Sequence, residues 1–167
     1  TLPLVDFDCD PSEITRAGNE HRKFIPTNVY PTRDGFVYLA VGSDVQWKRL
    51  TATPMFAAVA TPQRATNAGR QQDRAALKRD VTAVTRAHTL AEVAATLSQA
   101  TVPWAVINDI RQVRALPALA PVLTTTRTPD GRTIRMQPPA TSLPDTRRDY
   151  PFPPKYGADT RTILVEA

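Results

Sequence analysis

Six of the chain's 16 prolines fall in one short stretch, at Pro138, Pro139, Pro144, Pro151, Pro153 and Pro154. Proline lacks a backbone donor and holds φ near one value, so this stretch can be neither helix interior nor central strand. It reads as an extended connection over 137–155, and it limits what can lie on either side. Residues 1–23, with Pro3, Pro11, Gly18 and the alternating Asp6, Asp8 and Asp10, read as a linker or arm. Between them lies 24–136, enough chain for one small domain. Residues 137–167 then form a proline-rich connection ending in a helix. With 41% hydrophobic and 22% charged residues, the composition is globular, so the chain should bury a core.

Within 24–136 the apolar periodicity alternates between strand and helix. TNVYP and FVYLAV flank Thr32-Arg33-Asp34-Gly35, which predicts a hairpin over 27–41 with Asp34-Gly35 supplying a positive-φ turn. Val37, Leu39 and Val41 alternate with Phe36, Tyr38 and Ala40, a pattern expected of a strand covered on both faces. Gly42-Ser43-Asp44 then offers Ser43 or Asp44 as the cap of a helix through Gln46, Trp47 and Leu50, which Pro54 ends. Leu77, Val81, Val84 and His88 share one face of a helix predicted over 72–88, with His88 in a packing or capping place at its end. Thr89 to Glu92 has the capping-box pattern, opening a helix over 90–99 with Leu90, Val93, Ala94 and Leu97 inward. VPWAVIND predicts a short buried strand, after which Asp109 caps a brief helix through Val113 that Pro117 and Pro121 close.

VLTTTR and RTIRM form a second predicted hairpin, joined by Thr128-Pro129-Asp130-Gly131 in a type I turn. Its Ile134 and Met136 should pack while Thr133 and Arg135 face water. One last helix is expected over Asp159–Leu164. The order of hairpin, helices, strand, hairpin and helix is that of an α+β fold.

Several chemistries are excluded directly. Cys9 is the single cysteine, so no internal disulfide forms, and with only His21 and His88 beside it no Cys/His zinc cluster can be built. No other metal-ligand pattern, phosphate loop, dinucleotide fingerprint or nucleophile elbow is present. No apolar run approaches a spanning helix, and the start carries no basic region before an apolar one. The expectation is a soluble, cytoplasmic chain without a membrane partner. The net charge is +5 and the basic residues are mostly arginine, scattered from Arg16 to Arg161, as on a solvated surface. Arginine suits carboxylate or phosphate, but aromatics are not interleaved with it as nucleic-acid binding would need. No nucleic-acid partner is expected.

Four blocks carry a further signal: HRKFIPTNVYPTRDGFVYLAVGSDVQWKRL, TPQRATNAGRQQDRAALKRDV, TLAEVAATLSQATVPWAVINDIRQVRALPAL and PPKYGADTRTIL. In sequence and in order they resemble the C-terminal part of the class III CoA-transferases, a family that also holds α-methylacyl-CoA racemases and carnitine-CoA enzymes. The resemblance runs from about Gly18 onward. It implies an enzyme more than twice this length, with a large Rossmann-like domain, a small α+β domain matching 24–136, and two chains interlocked as rings. The aspartate that takes the acyl group, and most CoA contacts, would lie upstream of this chain. Alone it would then be inactive, its partner an N-terminal Rossmann-like half or subunit in a homodimer or heteromer. CoA or acyl-CoA would be substrate, with no permanently bound cofactor and no metal.

By that resemblance a few positions acquire roles. The racemase branch has an acidic residue ten positions after the hairpin-turn aspartate, facing the active site; from Asp34 that position is Asp44, in a supporting role that orients or tunes a base. Helix capping is its alternative role. The neighbouring pocket positions are Thr27, Gly42 and Ser43. Thr27 stands where racemases carry a pocket tyrosine, and RAGNEHRKF offers only Gly18 where the oxalate/formate branch has a glycine run. The first departure counts against a racemase and the second against an oxalate-like substrate; the leading reading is transfer of CoA between an acyl-CoA and a carboxylic acid. A racemase part and a non-catalytic interaction domain are the alternatives. Trp47 matches a family tryptophan explained by core packing, and Gly157 a family glycine that turns the chain before the last helix.

Overall fold

The computed structural model describes residues 2–141 and 148–166. They fall into two compact units, Thr1–Ile107 and Asn108–Ala167. The division lies inside the stretch 24–136 that the sequence presents as one domain, because the second hairpin joins a separate sheet with a later strand. The class is α+β, as expected.

The first unit opens with α1 (Leu2–Cys9) and a short 3-10 turn, Pro11–Glu13, inside the stretch read as an arm. Asp10 caps that turn, its carboxylate accepting the Ser12 N–H at 3.0 Å. A three-stranded antiparallel sheet follows, ordered β1 (Thr27–Pro31), β2 (Phe36–Ala40) and β3 (Trp104–Val106). Between β2 and β3 run α2 (Asp44–Thr51), α3 (Asn67–Gln72), α4 (Arg74–Arg86) and α5 (Leu90–Gln99). Two 3-10 turns, Ala57–Val59 and Gln63–Ala65, link α2 to α3. The predicted 72–88 helix is thus shorter, with Asp73 ending α3 and starting α4.

The core is what the periodicity predicts. Val37, Leu39 and Val41 from β2 and its end meet Leu50, Phe56, Leu77, Val81, Val93 and Leu97, all buried. α4 packs on β1, and α5 on β2 and β3. Tyr30 is buried among them, and burial, with Glu20's charge behind it, pushes its phenol pKa upward. The other face of β2 departs from expectation. Phe36 is 52% exposed and Tyr38 and Ala40 are only half-buried, since the core cluster lies on the Val37–Leu39 side. β3 is likewise not the buried strand expected: it is a sheet edge, with Val106 37% exposed.

The first hairpin also reverses differently. Register runs Pro31 opposite Phe36, so the loop has four residues rather than two and the positive φ of a primed two-residue turn is not required. Gly35 is not among the residues with positive φ. Thr32 N–H donates to Gly35 C=O at 2.9 Å, and the Asp34 carboxylate accepts both the Thr32 hydroxyl (3.2 Å) and Leu90 N–H (2.7 Å). Asp34 therefore ties the hairpin to the start of α5. There Thr89 and Glu92 form the expected capping box, and the Thr89 N–H and hydroxyl hold the Glu92 carboxyl below its ordinary pKa. His88 lies just past α4, its C=O accepting Arg33 N–H and its ring 3.9 Å from Glu92, a joint rather than a ligand site.

α5 ends in a Schellman motif: Val102 N–H returns to Leu97 C=O and Thr101 N–H to Ser98 C=O, both at 3.0 Å. The residue that must turn left-handed is Thr101, with φ 51°, a place glycine fills without strain. Its hydroxyl accepts Arg49 Nη1 at 2.9 Å, an exposed contact of small value. Thr101→Gly is expected to raise stability by about 0.5–1 kcal/mol, read as a higher thermal midpoint; an unchanged or lower midpoint would show that the threonine is unstrained.

In the second unit, Asp109 caps α6 (Ile110–Ala115) in a capping box with Gln112. β4 (Thr124–Arg127) lies between antiparallel β5 (Thr133–Met136) and parallel β6 (Asp149–Tyr150). The predicted turn is present: Gly131 N–H donates to Thr128 C=O at 2.9 Å and Gly131 has φ 86°. Ile134, expected to pack, is 42% exposed because β5 is an edge strand, and the buried residues are Thr124, Thr126 and Thr128. Thr126 Oγ1 is buried without a hydrogen bond among the described residues. Within the predicted 137–155 connection the described residues form no helix and one short strand, β6; residues 142–147, Pro144 among them, lie outside the described residues. Gly157, φ 78°, turns the chain into α7 (Thr160–Glu166). Among the described residues no helix is long and apolar enough to cross a membrane.

Candidate functional site

The four positions singled out from sequence meet at one corner of the first unit, where β1 begins and β2 passes into α2. Antiparallel pairing sets Thr27 opposite Ala40, and Val41 N–H donates to Pro26 C=O at 3.0 Å. Thr27 is buried and its hydroxyl donates to Val41 C=O at 3.3 Å, so it joins the strand ends. Gly42 and Ser43 are exposed. The Gly42 N–H donates to the Gln46 side chain at 2.7 Å, and the Ser43 hydroxyl accepts Gln46 N–H at 3.2 Å, which makes Ser43 the helix cap.

With Ser43 capping α2, Asp44 is released for another contact. It occupies the first turn, where a carboxylate is favoured by the helix dipole. Its Oδ1 accepts Nη2 of Arg70 at 2.8 Å, while half of the side chain (51%) remains exposed. Arg70 itself is fully buried. Its Nε donates to Ile25 C=O at 2.5 Å and its Nη1 to Arg64 and Ala65 C=O at 3.0 and 3.3 Å, and the guanidinium lies 5.2 Å from the centroid of the Trp47 ring. Trp47 is 3% exposed, in keeping with a packing role. The carboxylate is thus presented to solvent at a helix start and fixed from beneath by a planar fork.

A second buried guanidinium supports the first. Arg64 binds Asp73 through Nε at 2.6 Å, Asp80 through Nη2 at 2.7 Å and Val59 C=O through Nη1 at 3.0 Å. Burial alone would lower its pKa, and the two carboxylates more than reverse this, holding it above the ordinary value. Asn67, in α3, accepts Ile25 N–H at 3.1 Å and donates to Lys23 C=O at 2.7 Å, closing the corner from the remaining side.

Sequence reasoning brought Thr27, Gly42, Ser43 and Asp44 forward but passed over Arg64, Asn67 and Arg70, and these two arginines are not on the solvated surface assigned to them. The local signal was Gly69 beside Arg70: a Cβ there would stand 1.7 Å from Gln63 O, so α3 crosses the preceding turn at a distance only glycine permits. Cys9 is exposed and apart from this corner's contacts. Among the described residues no group of three or more His, Cys, Asp or Glu side chains could hold a metal ion.

The fold of the chain is shared with solved proteins. A solved CAIB/BAIF family protein from Brucella suis superposes with a TM-score of 0.75 over 98% of this chain and 44% of that one, at 24% identity. Rv3272 from Mycobacterium tuberculosis, in its orthorhombic form, gives 0.62 over 94% and 42%, at 15% identity. The chain belongs to CoA-transferase family III, whose pattern matches residues 6–160. It is 33% identical over 103 residues to the succinate–glutarate CoA-transferase of Agrobacterium fabrum, across 61% of this chain and 26% of that protein. The chain therefore spans about a quarter of that relative and less than half of the solved structures it matches.

Proposed function

We propose that the chain is the C-terminal portion of an enzyme that moves CoA between an acyl-CoA and a carboxylic acid. Its nucleophilic aspartate would stand on an N-terminal, Rossmann-like part that is not in this chain and that is its partner. The reading is carried by the family match across residues 6–160, and the named relative points to dicarboxylic acids as the acid class. In such a transfer the carboxylate attacks the thioester carbonyl and CoA leaves as thiolate. The incoming carboxylate attacks the aspartyl carbonyl of the anhydride so formed and expels the first acid, and the thiolate then attacks the new acyl carbonyl, releasing the new acyl-CoA and the free aspartate. Atoms balance as one acyl-CoA and one acid exchanged for the other pair.

In this scheme Asp44 is a positioning residue. Its carboxylate faces solvent and is held by the buried Arg70 guanidinium. Facing the partner, it would orient a base or acid there rather than touch the reacting carbonyl. The experiment is to mix this chain with a matching N-terminal part and assay CoA transfer from succinyl-CoA to glutarate. Asp44→Asn keeps an oxygen for Arg70 and removes the charge. It is expected to lower kcat about tenfold or more and to shift the pH profile of the rate, with KM little changed. A pair that binds acyl-CoA but performs no transfer would overturn the reading; proton exchange at the acyl α-carbon without transfer would identify the racemase branch instead.

A further inference from the structure

A cleft of about 830 Å³ opens in the first unit between the segment Asp6–Lys23 and the residues Gln71 and Arg74. Four cationic side chains line it, Arg16, Arg22, Lys23 and Arg74, against two carboxylates, Asp6 and Glu20. Both carboxylates are already matched. Asp6 pairs with Lys23 at 2.8 Å, and Glu20 stands 3.4 Å from Lys78 and 4.0 Å from Arg74. Among the described residues Arg16 and Arg22 have no carboxylate partner. Four cations against two anions leave an excess of two positive charges facing one concavity.

The cleft is built as well as charged. One Arg22 guanidinium nitrogen donates to Thr15 C=O, and Arg22's own C=O accepts a guanidinium nitrogen of Arg74, so each of these half-buried arginines is tied to a backbone carbonyl of the segment 15–22. His21 Nδ1 accepts N–H from Lys23 at 3.0 Å and Phe24 at 3.1 Å. That assigns the ring proton to Nε2, a further donor on a cleft-lining residue. Guanidinium groups without a carboxylate, gathered in a concave site, match the planar oxygens of an oxyanion.

We propose that this cleft binds a small molecule through an oxyanion, a carboxylate or a phosphate, held by Arg16 and Arg22. In the transfer reaction proposed above, that group would be the far carboxylate of a dicarboxylic acid or a phosphate of CoA. This last assignment rests on that reading; the binding itself does not.

The test is titration of the isotope-labelled 167-residue chain, followed by amide chemical shifts, with glutarate, with adenosine 3′,5′-bisphosphate and with neutral glutaramide. The expected result is saturable shifts confined to residues 14–23 and 71–74, with Kd on the order of 1 mM, weakening as salt rises. Glutarate saturating identifies a carboxylate site and the bisphosphate a phosphate site, and either supports the proposal. Arg16→Gln combined with Arg22→Gln should weaken binding at least tenfold. Should the double variant lose its dispersed spectrum, Arg16→Gln alone gives the same readout, since Arg16 is exposed and makes no bond among the described residues. No saturation by either anion, equal response to glutaramide, or undiminished affinity in the variants overturns it. Because the readout is binding to this chain, its failure is separable from failure of CoA transfer.

Discussion

Arg70→Leu is expected to lower the stability of the first unit by about 3–5 kcal/mol, a large share of what a domain this size has. The guanidinium is fully buried and supplies four hydrogen bonds, to the carbonyls of Ile25, Arg64 and Ala65 and to the Asp44 carboxylate. Leucine fills part of the volume and satisfies none of these acceptors, and an unpaired buried carbonyl carries its whole desolvation cost. Arg70→Lys should restore little, because one ammonium cannot span acceptors arranged for a planar fork. Denaturant unfolding checks this. If Arg70→Leu keeps its midpoint, the corner is not held as described. A double-mutant cycle with Asp44→Asn isolates the ion pair from the three carbonyl bonds.

The second large effect has its sign opposite to propensity. Gly69 lies within α3, where Gly→Ala would ordinarily stabilise a helix by about 1 kcal/mol. Here the added methyl would meet Gln63 O at 1.7 Å and Gln63 C at 2.9 Å, both backbone atoms. Relief requires α3 to move off the Gln63–Ala65 turn, and that turn offers the carbonyls that Arg70 binds. Gly69→Ala should therefore cost about 3 kcal/mol or more, at or beyond the upper end of ordinary overpacking. A calorimetric midpoint at or above that of the parent protein would refute the close approach.

These two positions also mark what a reading of the sequence could and could not supply. Contacts confined to a few residues were readable: the Ser43 cap, the Thr89–Glu92 box, the Asp109 cap and the Thr128–Gly131 turn are each a local pattern of side-chain oxygens and backbone donors. The core stripe of Leu77 and Val81 was equally plain from its spacing. The faces of β2 were not, because Phe36, Tyr38 and Ala40 are apolar whether or not anything covers them. Arg64 and Arg70 were hidden for a different reason. A charged residue counts as surface in every periodicity argument, and what buries them are carboxylates and carbonyls supplied by other elements. For the candidate site, sequence selected the buried strand-end Thr27 and the exposed Gly42, Ser43 and Asp44, and missed the buried arginines that support them.

The span of the corner's bonds has a consequence for the order of assembly. Asp44 and Arg70 are 26 residues apart, Ile25 and Arg70 45, and Lys23 and Gln71 48. Loops of that length close late, after hairpins and single helices have formed, because their entropy must be overcome before the contact can stabilise anything. During synthesis the segment carrying Asp44 leaves the ribosome well ahead of Arg70, and α2 can take up its cap on Ser43 with the carboxylate still unanchored. The fixed orientation of Asp44 comes into being only once the residues around 70 have emerged and folded back beneath it.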